Sequence, residues 1–303
     1  MYLFFHKKNE LVGNKRLNLP KGWLATKHYK QKNKEMEREL LELQKKIYQE
    51  ESQEYEFFIE YSSRLFFFPV GQFYDLYFYG DGNSDSEAFR MFLEFICKQE
   101  NADRIVSMRF GGPDEGANGT KNWDFEQVAN SNVMFPNLKR FDVQLSDYAD
   151  HNRSIIGKDY YEDGIIAKLL MKMPALVSLS VPSAPDKSFF EIACHPLEDL
   201  RLQAGYDNQN FIRNLAQSNN FQSLISLDYS DVMDFNNATK DCYTSFEDFK
   251  VLFTSSTFST VRQFVLRNSM LNKEQLIELQ CLNKNIQFMY VDAKHGQYVS
   301  HMK

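Results

Sequence analysis

One short apolar pattern recurs along the chain and constrains its fold more than any other feature. It consists of an apolar residue, two variable residues, a second apolar residue, one variable residue and a third apolar residue. The eight copies are Phe73-Leu76-Phe78, Ile105-Met108-Phe110, Leu138-Phe141-Val143, Leu176-Leu179-Val181, Leu197-Leu200-Leu202, Leu224-Leu227-Tyr229, Val261-Phe264-Leu266 and Ile286-Met289-Val291. In each copy the last two apolar positions alternate with other residues, and this period of two predicts a β-strand with one buried face.

Segments of helical period lie between the predicted strands. Apolar side chains three and four positions apart mark residues 86–99, 163–173, 210–217 and 272–282. Sequences that favour the start of a helix are Ser84-x-x-Glu87, Thr244-x-x-Glu247 and Asn272-x-x-Gln275. The predicted unit is therefore strand, loop, helix, loop, repeated about eight times.

Three segments give this repeat a resemblance to a known family. PALVSLSV at 174–181, PLEDLRL at 196–202 and VRQFVLRNSMLNKEQLIELQCL at 261–282 resemble leucine-rich repeats of the ribonuclease-inhibitor-like subclass. From about residue 70 onward the chain is also similar to bacterial leucine-rich-repeat proteins of unassigned function. The resemblance implies an α/β solenoid, or horseshoe, with a parallel sheet on its concave side and helices on its convex side.

The repeat is irregular. Successive units are 32, 33, 38, 21, 27, 37 and 25 residues apart, whereas leucine-rich repeats usually measure about 20–29 residues. A doubly wound sheet also alternates strands and helices. The repeat is the favoured interpretation because all eight strands share one pattern and none is followed by a Gly-rich phosphate-binding turn.

The first 70 residues do not fit the repeat. They contain an amphipathic helix with Met36, Leu40, Leu43 and Ile47 on one stripe, a candidate strand at 1–5 and an apolar run at 65–70. Because the open end of a solenoid exposes core, we expect residues 1–70 to form an N-terminal α+β cap. A small basic recognition module is the alternative. Residues 71–303 would then form the solenoid.

The predicted strands define a candidate binding face. Residues that alternate with the apolar positions are expected on the concave surface, where the central column would read Tyr77, Arg109, Asp142, Ser180, Arg201, Asp228, Val265 and Tyr290. The candidate binding residues are Tyr77, Tyr79, Arg109, Arg140, Asp142, Asp199, Arg201, Gln203, Asp228, Arg267, Tyr290 and Asp292. Tyr and Arg are enriched at binding hot spots, and charges of both signs suit a folded protein partner. The alternative is a solvated face whose charges pair with one another.

Long loops follow several of the strands. Residues 110–120, 145–158 and 231–244 each come after the carboxyl end of a strand, so a parallel arrangement would place them on one edge. We expect them to form a wall beside the binding face, because loops of this length are often functional. Tolerated variation in surface loops is the alternative explanation.

Motifs of enzymes and of metal or cofactor sites are missing from the sequence. It contains no GxxxxGK[ST], GxGxxG, HExxH or GxSxG, and its six histidines have no ligand spacing. Asp81, Asn83 and Asp85 imitate an EF-hand loop, but Ser86 and Phe92 replace the required Gly and Glu. We therefore expect no catalytic residues, no metal site and no cofactor.

Charge and apolar content limit the partners. Residues 1–50 carry 12 Lys/Arg and 6 Glu, and the remainder carries 23 Lys/Arg and 35 Asp/Glu. The acidic remainder argues against nucleic acid as the main partner, although the basic segment leaves a nucleic-acid or acidic partner open. No apolar stretch is long enough to span a membrane, and Lys7 and Lys8 interrupt any signal sequence. Four widely spaced cysteines suit free thiols, so a cytoplasmic location is expected.

These observations favour a protein-binding scaffold over an enzyme. The concave sheet and its loops would recognise the partner, and one version is an inhibitor or immunity protein that blocks a basic toxin or enzyme. The alternative is a structural or adaptor protein that binds through the basic N-terminal segment. An unrecognised hydrolase would need a cleft with converging titratable groups, which the sequence does not indicate.

Overall fold

A computed structural model of the chain describes the backbone of residues 21–52, 62–114, 119–147, 150–157, 162–232, 239–293 and 300–302. Side chains are described for the same residues except 21–33, 50–52, 292–293 and 300–302. The candidate strand at 1–5 therefore lies outside the described residues.

The described residues form helices and strands in alternation along most of the chain. The helices are α1 (Lys21–Ser52), α2 (Glu87–Ile96), α3 (Gln99–Ala102), α4 (Glu126–Asn130), α5 (Ile165–Lys172), α6 (Phe211–Gln217), α7 (Phe246–Thr254) and α8 (Lys273–Leu282). Short 3₁₀ turns lie at Lys187–Phe190, Lys240–Cys242 and Thr257–Ser259. The strands are β1 (Arg64–Val70), β2 (Phe73–Tyr79), β3 (Ile105–Gly111), β4 (Gly119–Trp123), β5 (Arg140–Val143), β6 (Asn152–Ile156), β7 (Ser178–Val181), β8 (Asp199–Gln203), β9 (Ser226–Ser230), β10 (Gln263–Arg267), β11 (Gln287–Ala293) and β12 (Ser300–Met302).

Ten strands form one sheet whose order follows the chain. The order is β1-β2-β3-β5-β7-β8-β9-β10-β11-β12, and β4 and β6 pair separately. The eight predicted strands are all present and pair in parallel, while β1 and β12 pair antiparallel at the two ends. The predicted α/β class with a mostly parallel sheet is confirmed. The order lacks the reversal of a doubly wound sheet, so that alternative is wrong.

The recurring apolar positions form the core. In the second to seventh copies all three apolar side chains are buried, from Ile105-Met108-Phe110 to Val261-Phe264-Leu266. In the first copy Tyr74 is buried and Phe73 only partly so, and the register of β2 against β3 shifts at Tyr74/Asp75. Burial of these side chains is the main stabilising contribution to the sheet, because each apolar side chain removed from water contributes about 1.5–3 kcal/mol.

The helices cover one face of the sheet. Successive helices contact one another in chain order, α1 with α2, α4 with α5, α6 with α7 and α7 with α8. The shortest repeat, between Leu176 and Leu197, has only the 3₁₀ turn Lys187–Phe190 at the place of a helix. Buried Phe189 on this turn stacks on Phe221, with ring centroids 4.8 Å apart. A 21-residue unit therefore keeps its core contact with a single turn.

The predicted helix starts are confirmed in one case and displaced in two. Asn272 caps α8 in a reciprocal capping box with Gln275. The caps of α2 and α7 are Ser86 and Ser245 instead of the predicted Ser84 and Thr244, and each accepts a hydrogen bond from the backbone N–H three residues later. Thr244 is engaged elsewhere, because its backbone N–H and hydroxyl donate to Asp231.

The N-terminal helix packs against the first repeat. Helix α1 contacts α2 and β1, and the predicted stripe of Met36, Leu40, Leu43 and Ile47 is buried. The apolar run at 65–70 is the strand β1, which pairs with β2 along its whole length. The main sheet therefore continues across the predicted boundary at residue 70.

Phe110 lies at the centre of an aromatic cluster in the first part of the core. Its ring centroid lies 4.8 Å from that of Phe125, 5.2 Å from Phe141 and 5.9 Å from Trp123. It is 2 % exposed. We expect Phe110→Ala to lower the free energy of unfolding by about 3–5 kcal/mol, because the substitution leaves a cavity among rigid rings.

Chemical denaturation checks this expectation. The control is Phe68→Ala, since Phe68 is 51 % exposed and its substitution should change stability by less than about 1 kcal/mol. Equal effects of the two substitutions would contradict the assignment of Phe110 to the core.

Candidate binding surface

The face of the sheet opposite the helices carries three rows of aligned residues, and we call it the open face. The first row reads Asp75, Ser107, Arg140, Ser178, Asp199, Ser226, Gln263 and Gln287. The second row reads Tyr77, Arg109, Asp142, Ser180, Arg201, Asp228, Val265 and Met289. The third row has two described parts. Tyr79 pairs with Gly111 in the first, and the second reads Gln203, Ser230, Arg267 and Val291.

Ion pairs connect the charged residues of the open face. Arg109 Nη2 donates to Asp75 at 3.1 Å, and Arg140 Nε lies 2.7 Å from an oxygen of Asp142. Both pairs join neighbouring rows; the first also joins β2 to β3, whereas the second lies within β5. The predicted self-pairing of the face is therefore present. The face nevertheless remains a partly exposed surface in which the charged groups have fixed positions.

Asp228 lies between two arginines. Its two carboxylate oxygens accept from Arg267 Nε and Nη2 at 2.7 and 2.9 Å, and one lies 3.5 Å from Arg201 Nε. Such a bidentate pair fixes the plane of the guanidinium. Arg201 therefore lies beside a carboxylate that accepts its hydrogen bonds mainly from Arg267.

The arginines of the open face are more exposed than their carboxylate partners. Arg140 and Arg201 are 57 % and 55 % exposed, whereas Asp142 and Asp228 are 22 % and 19 % exposed. Burial raises the pKa of Asp142, and the neighbouring Arg140 opposes this shift. Asp199 is the exception, because it is an exposed carboxylate. The positive groups therefore dominate the outer surface around β5 and β8. On this face the strands from β2 to β10 carry four Arg and four Asp, and Arg64 of β1, which pairs with Tyr79, is a fifth Arg.

Aromatic and apolar side chains lie at the β1 end of the open face. Phe66 pairs with Tyr77 across the strands and stacks on its ring at a centroid distance of 5.7 Å. Tyr79 contacts Tyr77 edge to face, and the Arg109 guanidinium lies 5.2 Å from the Tyr77 ring centroid. Burial raises the pKa of Tyr77. Phe66, Phe68 and Val70 are exposed, and we call these three residues with Tyr77 and Tyr79 the aromatic end.

Nine of the twelve sequence-predicted residues lie on the open face with part of their side chains exposed: Tyr77, Tyr79, Arg109, Arg140, Asp142, Asp199, Arg201, Asp228 and Arg267. Sequence reasoning missed Phe66, Phe68 and Val70, because it treated 65–70 only as an apolar run. Pro69 was the available signal, since Pro within a sheet is confined mainly to edge strands.

The prediction for Tyr290 is wrong. Its Cα pairs with Leu266 on the helix-covered face, where Tyr290 and Phe288 pack against the core. Met289 takes the predicted place of Tyr290 in the second row. The cause is a shift of one residue. The core-facing Phe288 comes two positions after Ile286, whereas the shared pattern predicts the next core residue three positions later.

Two further predicted residues do not contribute an exposed side chain to the open face. The side chain of Asp292 lies outside the described residues, and its backbone pairs with His301. Gln203 has the predicted strand position but is buried. Its amide donates to the Ser146 carbonyl at 2.7 Å and accepts from the Ser146 N–H at 2.9 Å, so it anchors an insertion.

The long insertions meet at one edge of the sheet, as predicted for residues 110–120 and 145–158. Parts of these segments form the parallel pair β4 and β6, which sequence reasoning had treated as loop. The Asp114 carboxylate accepts from the backbone N–H groups of His151 and Asn152 and lies 2.8 Å from His151 Nδ1. We call the described parts of 112–123 and 144–157 the edge wall.

The edge wall is bonded to the sheet and to the next loops. Besides the Gln203–Ser146 contact, the buried Trp123 indole donates to Ser154 Oγ at 3.0 Å. Arg153 is buried, donates to the Gly205 carbonyl at 2.9 Å and lies 4.7 Å from the Tyr206 ring centroid. These contacts give the wall a fixed position beside the carboxyl ends of the strands.

The insertion at 231–244 is attached through a buried carboxylate. Asp231 is 1 % exposed and accepts hydrogen bonds from the backbone N–H groups of Val232 and Thr244 and from the Tyr229 hydroxyl. Burial raises its pKa from 3.8 to about 6, and the hydrogen bonds oppose part of this shift. Residues 233–238 of the insertion lie outside the described part.

Two grooves flank the sheet at its edges. One, of about 900 Å³, opens among Tyr206, Arg213, Lys240, Ser245 and Asn272. The other, of about 620 Å³, lies between α1 and α3 and is lined by Glu35, Glu39, Glu100, Asp103 and Arg104. Within the described residues no group of three or more His, Cys, Asp or Glu is arranged to hold a metal ion. None of the described helices combines the length and apolarity needed to cross a membrane.

Comparisons with known protein families, with curated proteins and with solved structures find no match to this chain.

The buried Asp231 makes stability depend on pH. The folded chain binds this proton more tightly than the unfolded chain, so the contribution of Asp231 to the free energy of unfolding is greatest below about pH 4. This contribution falls as the pH rises through about 6, the pKa in the folded chain, and is constant at higher pH. One pKa unit corresponds to about 1.4 kcal/mol, so the fall is about 3 kcal/mol.

Denaturation of the wild type and of Asp231→Asn at several pH values isolates this contribution. The wild-type free energy of unfolding minus that of the variant should fall by about 2 kcal/mol between pH 4 and pH 7, which is most of the total fall of about 3 kcal/mol. A difference that rises with pH would mean that the carboxylate is stabilised in its charged form.

Proposed function

We propose that the chain is a leucine-rich-repeat solenoid that binds a protein partner through the open face of its sheet, without a catalytic role. The observation that carries this proposal is the alignment of eight parallel strands in chain order. This alignment places side chains of consecutive strands in continuous rows on the open face. A curved solenoid of this type uses its exposed sheet for binding.

The size of the open face suits a protein. Eight parallel strands spaced about 4.8 Å apart extend over about 34 Å. A surface of this width can contribute the roughly 800 Å² that each partner buries in a standard protein interface. Tyr and Arg side chains of the kind enriched at hot spots lie along it.

The charge of the open face favours protein over nucleic acid. Four Asp offset four of the five Arg on the described open face, and the Arg are Arg64, Arg109, Arg140, Arg201 and Arg267. A nucleic-acid surface would need an excess of positive groups to replace phosphate counterions. Mixed charges at fixed positions instead select a partner with a matching pattern.

An inhibitor or immunity protein remains one version of this proposal. The net acidity of residues 51–303 was the reason to expect a basic target. The nearly balanced open face does not support that preference, because acidic groups concentrate elsewhere, for example in the groove that contains Glu35, Glu39 and Glu100. We therefore propose the protein-binding role without a basic target.

The adaptor function is the second candidate, and the charge of the N-terminus favours it. Residues 1–33 contain eight Lys/Arg and one Glu, and among the described side chains of α1 the buried stripe comprises Met36, Leu40, Leu43 and Ile47. Binding through this segment would leave the open face without a role.

Affinity capture from the native lysate with the tagged full-length chain separates the two candidates. Reversing two exposed charges, Arg140→Glu and Arg201→Glu, should reduce capture of the partner at least about tenfold, because opposite charges at the interface become like charges. The matched control reverses Arg90 and Lys187, which are 49 % and 80 % exposed outside the open face.

A further variant tests the N-terminal candidate in the full chain. Replacing Lys7, Lys8, Lys15 and Arg16 by Gln should leave capture unchanged if the open face is the binding site. Loss of the partner only in this variant would favour the adaptor function and would contradict the proposal. Circular dichroism of each variant establishes that it is folded.

A further inference from the structure

The open face has two regions of different chemistry within reach of one extended segment. The aromatic end lies on β1 and β2, and the exposed arginines Arg140 and Arg201 lie on β5 and β8. Five strand spacings separate β1 from β8 in the sheet order β1-β2-β3-β5-β7-β8, which is about 24 Å. An extended peptide covers that distance with seven or eight residues.

We propose that the open face takes an extended, acidic segment of a protein partner that also carries an aromatic or large apolar side chain. This inference rests on the proposed function and adds the chemistry of the partner. Carboxylates of the segment would contact Arg140 and Arg201, and its apolar side chain would pack on Phe66 and Phe68.

Charge complementarity supports an acidic segment. Arg140 and Arg201 are each more than half exposed, while their partners Asp142 and Asp228 are about one-fifth exposed. Asp228 already accepts two hydrogen bonds from Arg267. An approaching segment therefore meets guanidinium groups first, and arginine can bind an incoming carboxylate with two parallel hydrogen bonds.

The serines of β7 support a segment that lies across the strands. Ser178 and Ser180 stand between β5 and β8, in the same rows as Arg140 and Arg201. Their side chains are small and project less far from the plane of the sheet than the arginine side chains on either side. A backbone crossing β7 can therefore lie close to the sheet while its side chains reach both arginines.

The aromatic end supports an apolar contact in the partner. Phe66, Phe68 and Val70 are 37 %, 51 % and 49 % exposed and alternate along β1. The stack of Phe66 on Tyr77 gives this region a fixed shape. Contiguous exposed apolar side chains bordered by polar ones mark interaction sites.

The acidic net charge of the chain does not prevent this binding. The described open face carries five Arg and four Asp, and at physiological ionic strength exposed charges farther away than about 8 Å are largely screened. Among the described strand residues of the open face, Asp199 is the exposed carboxylate near the two arginines. Its removal should therefore strengthen the binding of an acidic segment.

Selection from a phage library of random twelve-residue peptides on the immobilised full-length chain tests this inference. Selected peptides should be rich in Asp and Glu and contain Phe, Tyr or Trp. In fluorescence anisotropy with a labelled selected peptide, Arg140→Gln and Arg201→Gln should each weaken binding about tenfold. Phe68→Ser should do the same, whereas Asp199→Asn should tighten binding several-fold.

The matched control is Lys187→Gln, which removes one exposed positive charge away from the open face and should leave the affinity unchanged. Basic selected peptides that lose affinity in Phe68→Ser would overturn the acidic chemistry but keep the open face as the binding site. A selection without peptides sensitive to the open-face variants would overturn the inference. In that case the capture experiment with a folded partner still decides the proposed function separately.

Discussion

The register of the parallel strands is the constraint on which the rest of this structure depends. Because residues pair across neighbouring strands without insertion from β3 to β11, one alternation decides both surfaces of the sheet. One row of paired residues faces the helices: Leu200, Leu227 and Phe264. The next residue of each strand lies on the open face: Arg201, Asp228 and Val265. A slip of one residue would bury charges and expose the core, so hydrophobic burial fixes the positions of polar groups that contribute little stability themselves.

The local part of this arrangement could be predicted from the sequence. A period of two identifies the core positions of the main-sheet strands from β2 to β10, because the last two apolar residues of the pattern are buried in each of them. The same reasoning fails where the spacing inside the motif changes. In β11 the core-facing residues are Phe288 and Tyr290, and the shared pattern wrongly selected Met289 and Val291. It also fails where burial comes from distant residues. The alternation predicts that Gln203 is exposed, but an insertion 57 residues away in the chain covers it. In the same way, β4 and β6 become strands only through pairing with each other.

Electrostatic contacts on the open face serve to orient side chains more than to stabilise the fold. An exposed ion pair contributes about 0–1 kcal/mol, which is small beside the burial of one core Phe. The fork between Arg267 and Asp228 nevertheless fixes two side chains, and Arg109 is held between Asp75 and the Tyr77 ring. Side chains that are already ordered lose less conformational entropy on binding. A face with paired charges is therefore compatible with recognition, provided that the groups which project farthest remain accessible.

The edge wall limits how the proposed partner can lie on this surface. At the carboxyl ends of the strands, Ser146 covers Gln203 and Arg153 reaches Gly205, so the third row is partly closed. A segment running along a single strand would meet this wall within a few residues. A segment running across the strands follows the first and second rows, passes the small side chains of β7 and reaches the aromatic end without obstruction from the wall. The insertions therefore favour recognition across many repeats, with each strand contributing one or two side chains to the contact.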